Sequence, residues 1–210
     1  MIILDFDGVL FNDLRFKRDY ERLFRRAGVP RRAYRDTYAR ARDLPGGVYR
    51  HDLHLALIRA HISAARLAAL ERGIMDFGRR TAGYLYRDAV PTLRYWQSAG
   101  EPLALVSCGH DFQRTKVMSS GIASFFADIV IADTQDKATP VGDLLRRHMP
   151  PRAVFIDDRA YLSDSVKKHS PRVTVLQMIR RKGGERSRHA DGVVSSLAAA
   201  QRWTEKNLLR

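Results

Sequence analysis

Ile2-Ile3-Leu4-Asp5-Phe6-Asp7-Gly8 is the stretch that decides the fold. Three successive apolar residues without alternation read as a short strand buried on both faces. Two acids follow at once, and Gly8 permits a tight turn that a side chain would obstruct. A strand ending in carboxylates suits an open parallel sheet, in which ligands bind outside the carboxyl ends of the strands. Asp-Gly after a strand is also an ordinary turn, so the remaining weight comes from the rest of the chain.

The 210 residues suffice for one domain carrying a sizeable insert. Beyond the first strand the rhythm becomes helical. Phe16, Tyr20, Leu23, Phe24 and Ala27 recur at helical spacing, and Gly28 and Pro30 close that helix. Tyr34, Tyr38 and Ala41 predict a second helix, stopped by Pro45-Gly46-Gly47. Leu53, Ala56 and Ala60 predict a third, and Leu67, Leu70, Ile74 and Phe77 a fourth. No strand pattern occurs from Leu14 to about Ala82. From Pro91, read as a first helical position, apolar strands alternate with helices. The strands are Leu103–Val106, Ile129–Ile131, Ala153–Ile156 and Val173–Leu176, and the last helix is Leu197–Leu208. Arg180–His189 reads as an exposed basic loop. The expected fold is α/β, a Rossmann-like parallel sheet core covered by helices on both faces. An all-helical cap is expected after the first strand. The expected division is 1–12 and 88–210 for the core and 13–87 for the cap.

Net charge is +14, and residues 12–87 hold 18 basic against 8 acidic side chains. Such a segment draws anions: phosphorylated metabolites, nucleotides, nucleic acid or acidic lipid. An Arg-rich solvated face accounts for it equally well. No stretch approaches the roughly 20 apolar residues that span a bilayer, so no membrane partner is expected. The single cysteine, Cys108, excludes an internal disulfide framework. With no signal-peptide pattern after Met1, the expected location is cytoplasmic.

Side chains at the strand ends carry the chemistry. The first strand ends in Asp5 and Asp7, the next in Ser107-Cys108-Gly109, the third near Lys137 and the fourth in Asp157-Asp158. Asp5, Asp7 and Asp157 are hard oxygen ligands suited to Mg²⁺. A carboxylate can also attack phosphorus, and a second one two residues on can serve as acid and base. Ser107 and Lys137 can hold phosphoryl oxygens.

In this order the residues resemble the four motifs of the haloacid dehalogenase superfamily. Asp5-Phe6-Asp7-Gly8-Val9-Leu10 is similar to motif one, Ser107 to motif two, Lys137 to motif three and Phe155-Ile156-Asp157-Asp158 to motif four. The resemblance spans Ile2 to about Leu197, apart from the helical segment, whose position matches a C1-type cap. It implies that Asp5 is the nucleophile and a metal ligand. Asp7 is implied as general acid/base, lending its backbone carbonyl to the metal. Asp157 completes the metal site and Asp158 assists it. Ser107, Gly109 and Lys137 are the expected substrate contacts. Two departures are Val9 in place of the frequent Thr, and Ser107-Cys108-Gly109-His110 in place of Thr/Ser-Asn. Members that cleave carbon–halogen bonds lack an acid at the position of Asp7, so its presence favours phosphoryl transfer.

The expected activity is Mg²⁺-dependent hydrolysis of a small phosphomonoester through an aspartyl-phosphate. A phosphomutase on the same fold is the nearest alternative. A nucleic-acid-binding or end-processing protein is another, although no nucleic-acid motif is present. A non-catalytic scaffold fits poorly with a complete set of acids. Lys116, in mid-helix, is a rival for the motif-three lysine, with a surface role expected. Cys108 with His110 reads as packing rather than a nucleophilic pair. His51, Asp52 and His54, with His110-Asp111, resemble an HD-type metal set and are expected on a helix surface. Tyr34, Tyr38, Tyr84 and Tyr86 are expected in core packing rather than on a substrate ring.

Overall fold

In the computed structural model, which describes residues 1–44, 46–181 and 183–207, Ile2–Leu4 forms strand β1. Pro45, in the expected helix break, and Leu208, at the expected end of the last helix, lie outside the described residues. The other strands are β2 (Leu103–Cys108), β3 (Asp128–Ala132), β4 (Val154–Asp157), β5 (Thr174–Met178) and β6 (Gly192–Val194). All pair in parallel in the order β3-β2-β1-β4-β5-β6. β6 was not expected from the sequence. Three residues beginning with glycine, with Val193 47% exposed, carry too little apolar pattern to read as a strand.

Although each central strand is apolar throughout, its residues divide between two cores by their period of two. Ile2, Leu4, Leu103 and Leu105 face one side, with Trp96 and Leu93 of helix α5 (Ala89–Ser98) and Leu197 and Ala200 of α9 (Leu197–Asn207). Ile3, Ala104, Val106 and Phe155 face the other. There they meet Val141 and Leu144 of α7 (Ala138–His148) and Val166 of α8 (Ala160–His169). Pro91 is the third residue of α5, not its first. Asp88, which precedes that helix, instead accepts from Arg180 and from the Leu197 amide.

Between β1 and β2 come α1 (Asp13–Arg26), α2 (Arg31–Arg42), α3 (His51–Ile58) and α4 (Ala64–Gly78). Asn12 caps α1 by accepting from the Arg15 amide, and Gly28 closes that helix at φ +86°. The chain enters and leaves this insert side by side: the Asn12 amide donates to Tyr84 O at 2.8 Å and the Tyr86 amide to Leu10 O at 2.9 Å. A column of rings joins insert to sheet. Phe6 stacks on Phe11 at 4.6 Å, Phe11 meets Phe16 at 5.3 Å, Phe16 meets Tyr20 at 5.9 Å and Tyr20 meets Phe24 at 5.0 Å. Burial of these rings makes the insert and one face of the sheet a single core. Among the described residues no helix is long and apolar enough to cross a membrane.

Candidate active site

The strand order reverses direction at β1. β2 and β3 lie to one side of it, and β4 then crosses to the other. This is the switch point at which an open sheet leaves a crevice for ligands, and the acids of β1 and β4 meet there. The Asp5 amide donates to Ile156 O at 2.9 Å, which ties the two strand ends together. The Lys137 Nζ, carried at the start of α7, lies 2.7 Å from Asp5 Oδ1 and 2.6 Å from Asp157 Oδ2. Asp157 Oδ1 accepts from the Arg159 amide at 2.8 Å. Asp5, Asp157 and Asp158 each turn an oxygen into one volume, all within 4.8 Å of one another.

Three carboxylates share that volume with one ammonium. Burial, opposed by Lys137 and aided by repulsion from Asp157, pushes Asp5 up to about 6. Burial with Asp5 and Asp157 alongside pushes Asp158 up to about 8. Lys137 is held charged by Asp157 and Asp5 despite its burial. The oxygens of Asp5, Asp157 and Asp158 are hard donors of the kind that could hold a divalent cation such as Mg²⁺. The backbone makes room for the cluster. Gly8 has φ +77°, and a Cβ there would stand 2.2 Å from Asp158 Oδ2.

Asp7 points elsewhere. The Lys116 Nζ lies 2.8 Å from Asp7 Oδ1 and 3.0 Å from Oδ2, and Gln113 Nε2 donates to Oδ2 at 3.0 Å. Burial opposes ionisation of Asp7, but Lys116 and Gln113 outweigh it and hold the carboxyl below its ordinary range. Asp7 therefore has only its backbone carbonyl to offer a metal. Ser107, on β2, is buried and accepts from Gln113 Nε2 at 2.9 Å. Gly109 approaches α6 (Asp111–Ser119) so closely that a Cβ would lie 2.3 Å from Gln113 Cβ.

Two sequence expectations are corrected here. Lys116 is not a surface residue: it is 6% exposed and paired with Asp7. The signal was its i,i+3 spacing from Gln113, which puts both on one face of a helix starting at the site rim. His54 is not on a helix surface either. It is fully buried, stacked on Phe24 at 4.8 Å, with Nδ1 2.6 Å from the Tyr49 hydroxyl. His51 packs against Phe112 at 4.3 Å and Asp52 pairs with Arg50. Among the described residues the acidic trio alone forms a cluster able to hold a metal. Burial pushes the Cys108 thiol up to about 11, which keeps it protonated at neutral pH. Tyr34 and Tyr84 are core residues, Tyr86 lies beneath Arg180 at 3.7 Å, and Tyr38 lines the cavity described next.

That cavity, about 120 Å³, lies between insert and sheet. Asp7, Gly109 and Lys116 belong to its sheet side, and Lys17, Tyr38 and Arg42 to the insert. Asp5 does not line it and is 4% exposed. Gln135, beyond β3, joins the two sides: its amide donates to Gly46 O at 2.9 Å and its Nε2 to Gly47 O at 2.6 Å. Arg159 and Tyr161 both donate to Gln135 Oε1.

No family model matches the chain, and no curated protein does. Solved structures do. A Burkholderia xenovorans LB400 protein described as a haloacid dehalogenase-like hydrolase superposes with a TM-score of 0.76 at 18% identity, over 98% of this chain and 96% of the other. An HAD phosphatase of Thermococcus onnurineus matches at 0.65 and 20% identity, over 96% of both chains. The L-2-haloacid dehalogenase of Xanthobacter autotrophicus matches at 0.64 and 16%, over 98% of both. At such identities the likeness is one of fold, and it extends over sheet and insert alike: this chain has the fold of the haloacid dehalogenase-like hydrolases.

Proposed function

We propose that the protein is a Mg²⁺-dependent phosphatase that hydrolyses a small phosphomonoester through an aspartyl-phosphate on Asp5. One observation carries the reading. Asp5, buried with Asp157 against Lys137, completes a trio of carboxylates with the half-buried Asp158, while a second acid two residues on is held separately at the wall of a cavity. Carbon–halogen cleavage has no use for that second acid, whereas phosphoryl transfer uses it twice.

Asp5, Asp157 and Asp158, with the Asp7 carbonyl, would hold the metal. Bound there, Mg²⁺ supplies positive charge to phosphoryl oxygens and offsets the repulsion among the carboxylates. An oxygen of Asp5 attacks phosphorus as the ester P–O bond breaks, and Asp7 protonates the leaving oxygen. Lys137 and the Ser107 hydroxyl hold phosphoryl oxygens. Water then attacks the phosphorus, giving its proton to Asp7, and the bond from Asp5 to phosphorus breaks. Asp7 is ionised at rest, the form that activates water. For the first step it takes up one proton from solvent as the anionic phosphoryl group approaches, gives it to the leaving oxygen, and later returns to solvent the proton taken from the attacking water.

Residues 13–87 act as the cap. With the cap in this position Asp5 is shielded, so turnover requires it to open and close. The cavity of about 120 Å³ beside Asp7, with Lys17, Tyr38 and Arg42 on its cap side, is where the leaving group would lie. The test is phosphate release from a panel of phosphorylated metabolites with Mg²⁺. Asp5→Asn is expected to abolish release, by a factor of at least about 10³. Retained activity would end the mechanism. Interconversion of sugar phosphates without net release would favour the phosphomutase.

A further inference from the structure

Helix α6 presents two buried polar side chains to the site. Neither belongs to the four strand-end motifs. Burying the Lys116 ammonium costs several kcal/mol unless its donors are matched. Here Nζ lies 2.8 Å from Asp7 Oδ1, 3.0 Å from Asp7 Oδ2 and 2.8 Å from Gln113 Oε1, so one N–H is shared by the two Asp7 oxygens and a second goes to Gln113. The rings of Phe11, Phe16 and Phe6 surround the ammonium with centroids at 4.9, 5.1 and 5.6 Å. Because Gln113 Oε1 accepts from Lys116, its two amide protons go to Asp7 Oδ2 at 3.0 Å and Ser107 Oγ at 2.9 Å. Ser107 Oγ accepts that hydrogen bond, so its own proton is left to donate.

We propose that Gln113 and Lys116 are positioning residues that lock the Asp7 carboxylate and aim the Ser107 hydroxyl, so that one helix face sets both the proton-transfer group and the phosphoryl clamp. The inference rests on the phosphatase reading of the site. The hydrogen bonds of both residues run to Asp7, to Ser107 and to each other. Their effect passes through Asp7 and Ser107. The bare Cα of Gly109 is part of the arrangement, because any side chain there would displace Gln113.

A strut that merely supports the fold slows every substrate alike. A layer that aims the leaving-group acid matters most where the leaving oxygen needs a proton. Steady-state kinetics with Mg²⁺ on p-nitrophenyl phosphate and on glycerol 1-phosphate separate the two. For Lys116→Gln, kcat on the alkyl ester is expected to fall about 100-fold, and at least about tenfold further than on the aryl ester. KM changes little, and Lys116→Arg recovers part of the loss. Gln113→Leu, which keeps side-chain bulk, shows the same split if Lys116→Gln fails to fold. Equal losses on both esters, or no loss, overturn the proposal. If the wild type cleaves neither ester, an aryl and an alkyl ester that it does cleave take their place; if it releases phosphate from no member of the metabolite panel, the phosphatase reading fails by itself. The layer is then judged by a crystal structure of Lys116→Gln: an Asp7 carboxylate turned from its place supports it, and one unmoved overturns it.

Discussion

His54 shows how far one residue can depart from its sequence setting. It sits on the short helix α3, where the sequence places it among surface residues, yet it is fully buried among Phe24, Tyr34 and Tyr38. Its Nδ1 meets the Tyr49 hydroxyl at 2.6 Å, and Tyr20 makes the same contact with His51. Burial, with His51 nearby, pushes His54 down to about 4. An unfolded histidine titrates near 6.5. Between those values the unfolded chain binds a proton that the folded chain refuses. Stability is therefore full above about pH 6.5 and falls as pH falls toward 4, by about 3 kcal/mol for this group. At pH 5 the wild type should lose about 2 kcal/mol more than His54→Phe, relative to each at pH 7. Urea denaturation of both proteins at the two pH values measures this, and equal losses would refute it.

At the scale of elements, the segment joining α2 to α3 meets the sheet's loops through Gln135. One backbone amide and one side-chain amide of the loop after β3 hold the carbonyls of Gly46 and Gly47. Both glycines have positive φ, +93° and +67°, and a Cβ on Gly47 would lie 2.9 Å from Gln135 Cγ. The contact is polar and at the edge of the cavity, so it adds little to folding and much to where the cap rests. Gln135→Ala removes the side-chain half. Its expected effect is a roughly tenfold loss in kcat/KM, with the urea midpoint almost unchanged. A matching loss of stability, or unchanged kinetics, would show that the contact does not place the cap.

For the whole molecule, the charge of +14 is carried largely by the insert. Many of its arginines are exposed beside acids one turn away: Arg22 with Asp19, Arg32 with Asp36, Arg79 with Asp76. Such pairs contribute little to stability. Their net field still draws anions toward the cavity, where Lys17, Arg42 and Arg159 lie. Raising ionic strength from about 0.05 to about 0.5 M should raise KM several-fold and leave kcat nearly constant, because screening acts on approach rather than on the buried site. Duplex DNA is expected not to compete at physiological salt. Competition with a steep salt dependence would revive the nucleic-acid reading.

The sheet, its parallel sense and the helical insert were legible because each is written in local periodicity. β6 was not, since an edge strand of three residues has almost no period to read. Asp5, Asp157 and Lys137 could be brought together on paper because parallel strands deliver their carboxyl ends to one rim whatever their spacing along the chain. Lys116 and His54 could not. Both are polar residues on helices, and only the packing of that helix decides whether such a residue faces water or a buried partner. The sequence by itself determined that Asp5 and Asp157 share one rim, because each ends a parallel strand. The tertiary structure decided that Asp7 turns away from the other three, because α6 buries an ammonium that needs it.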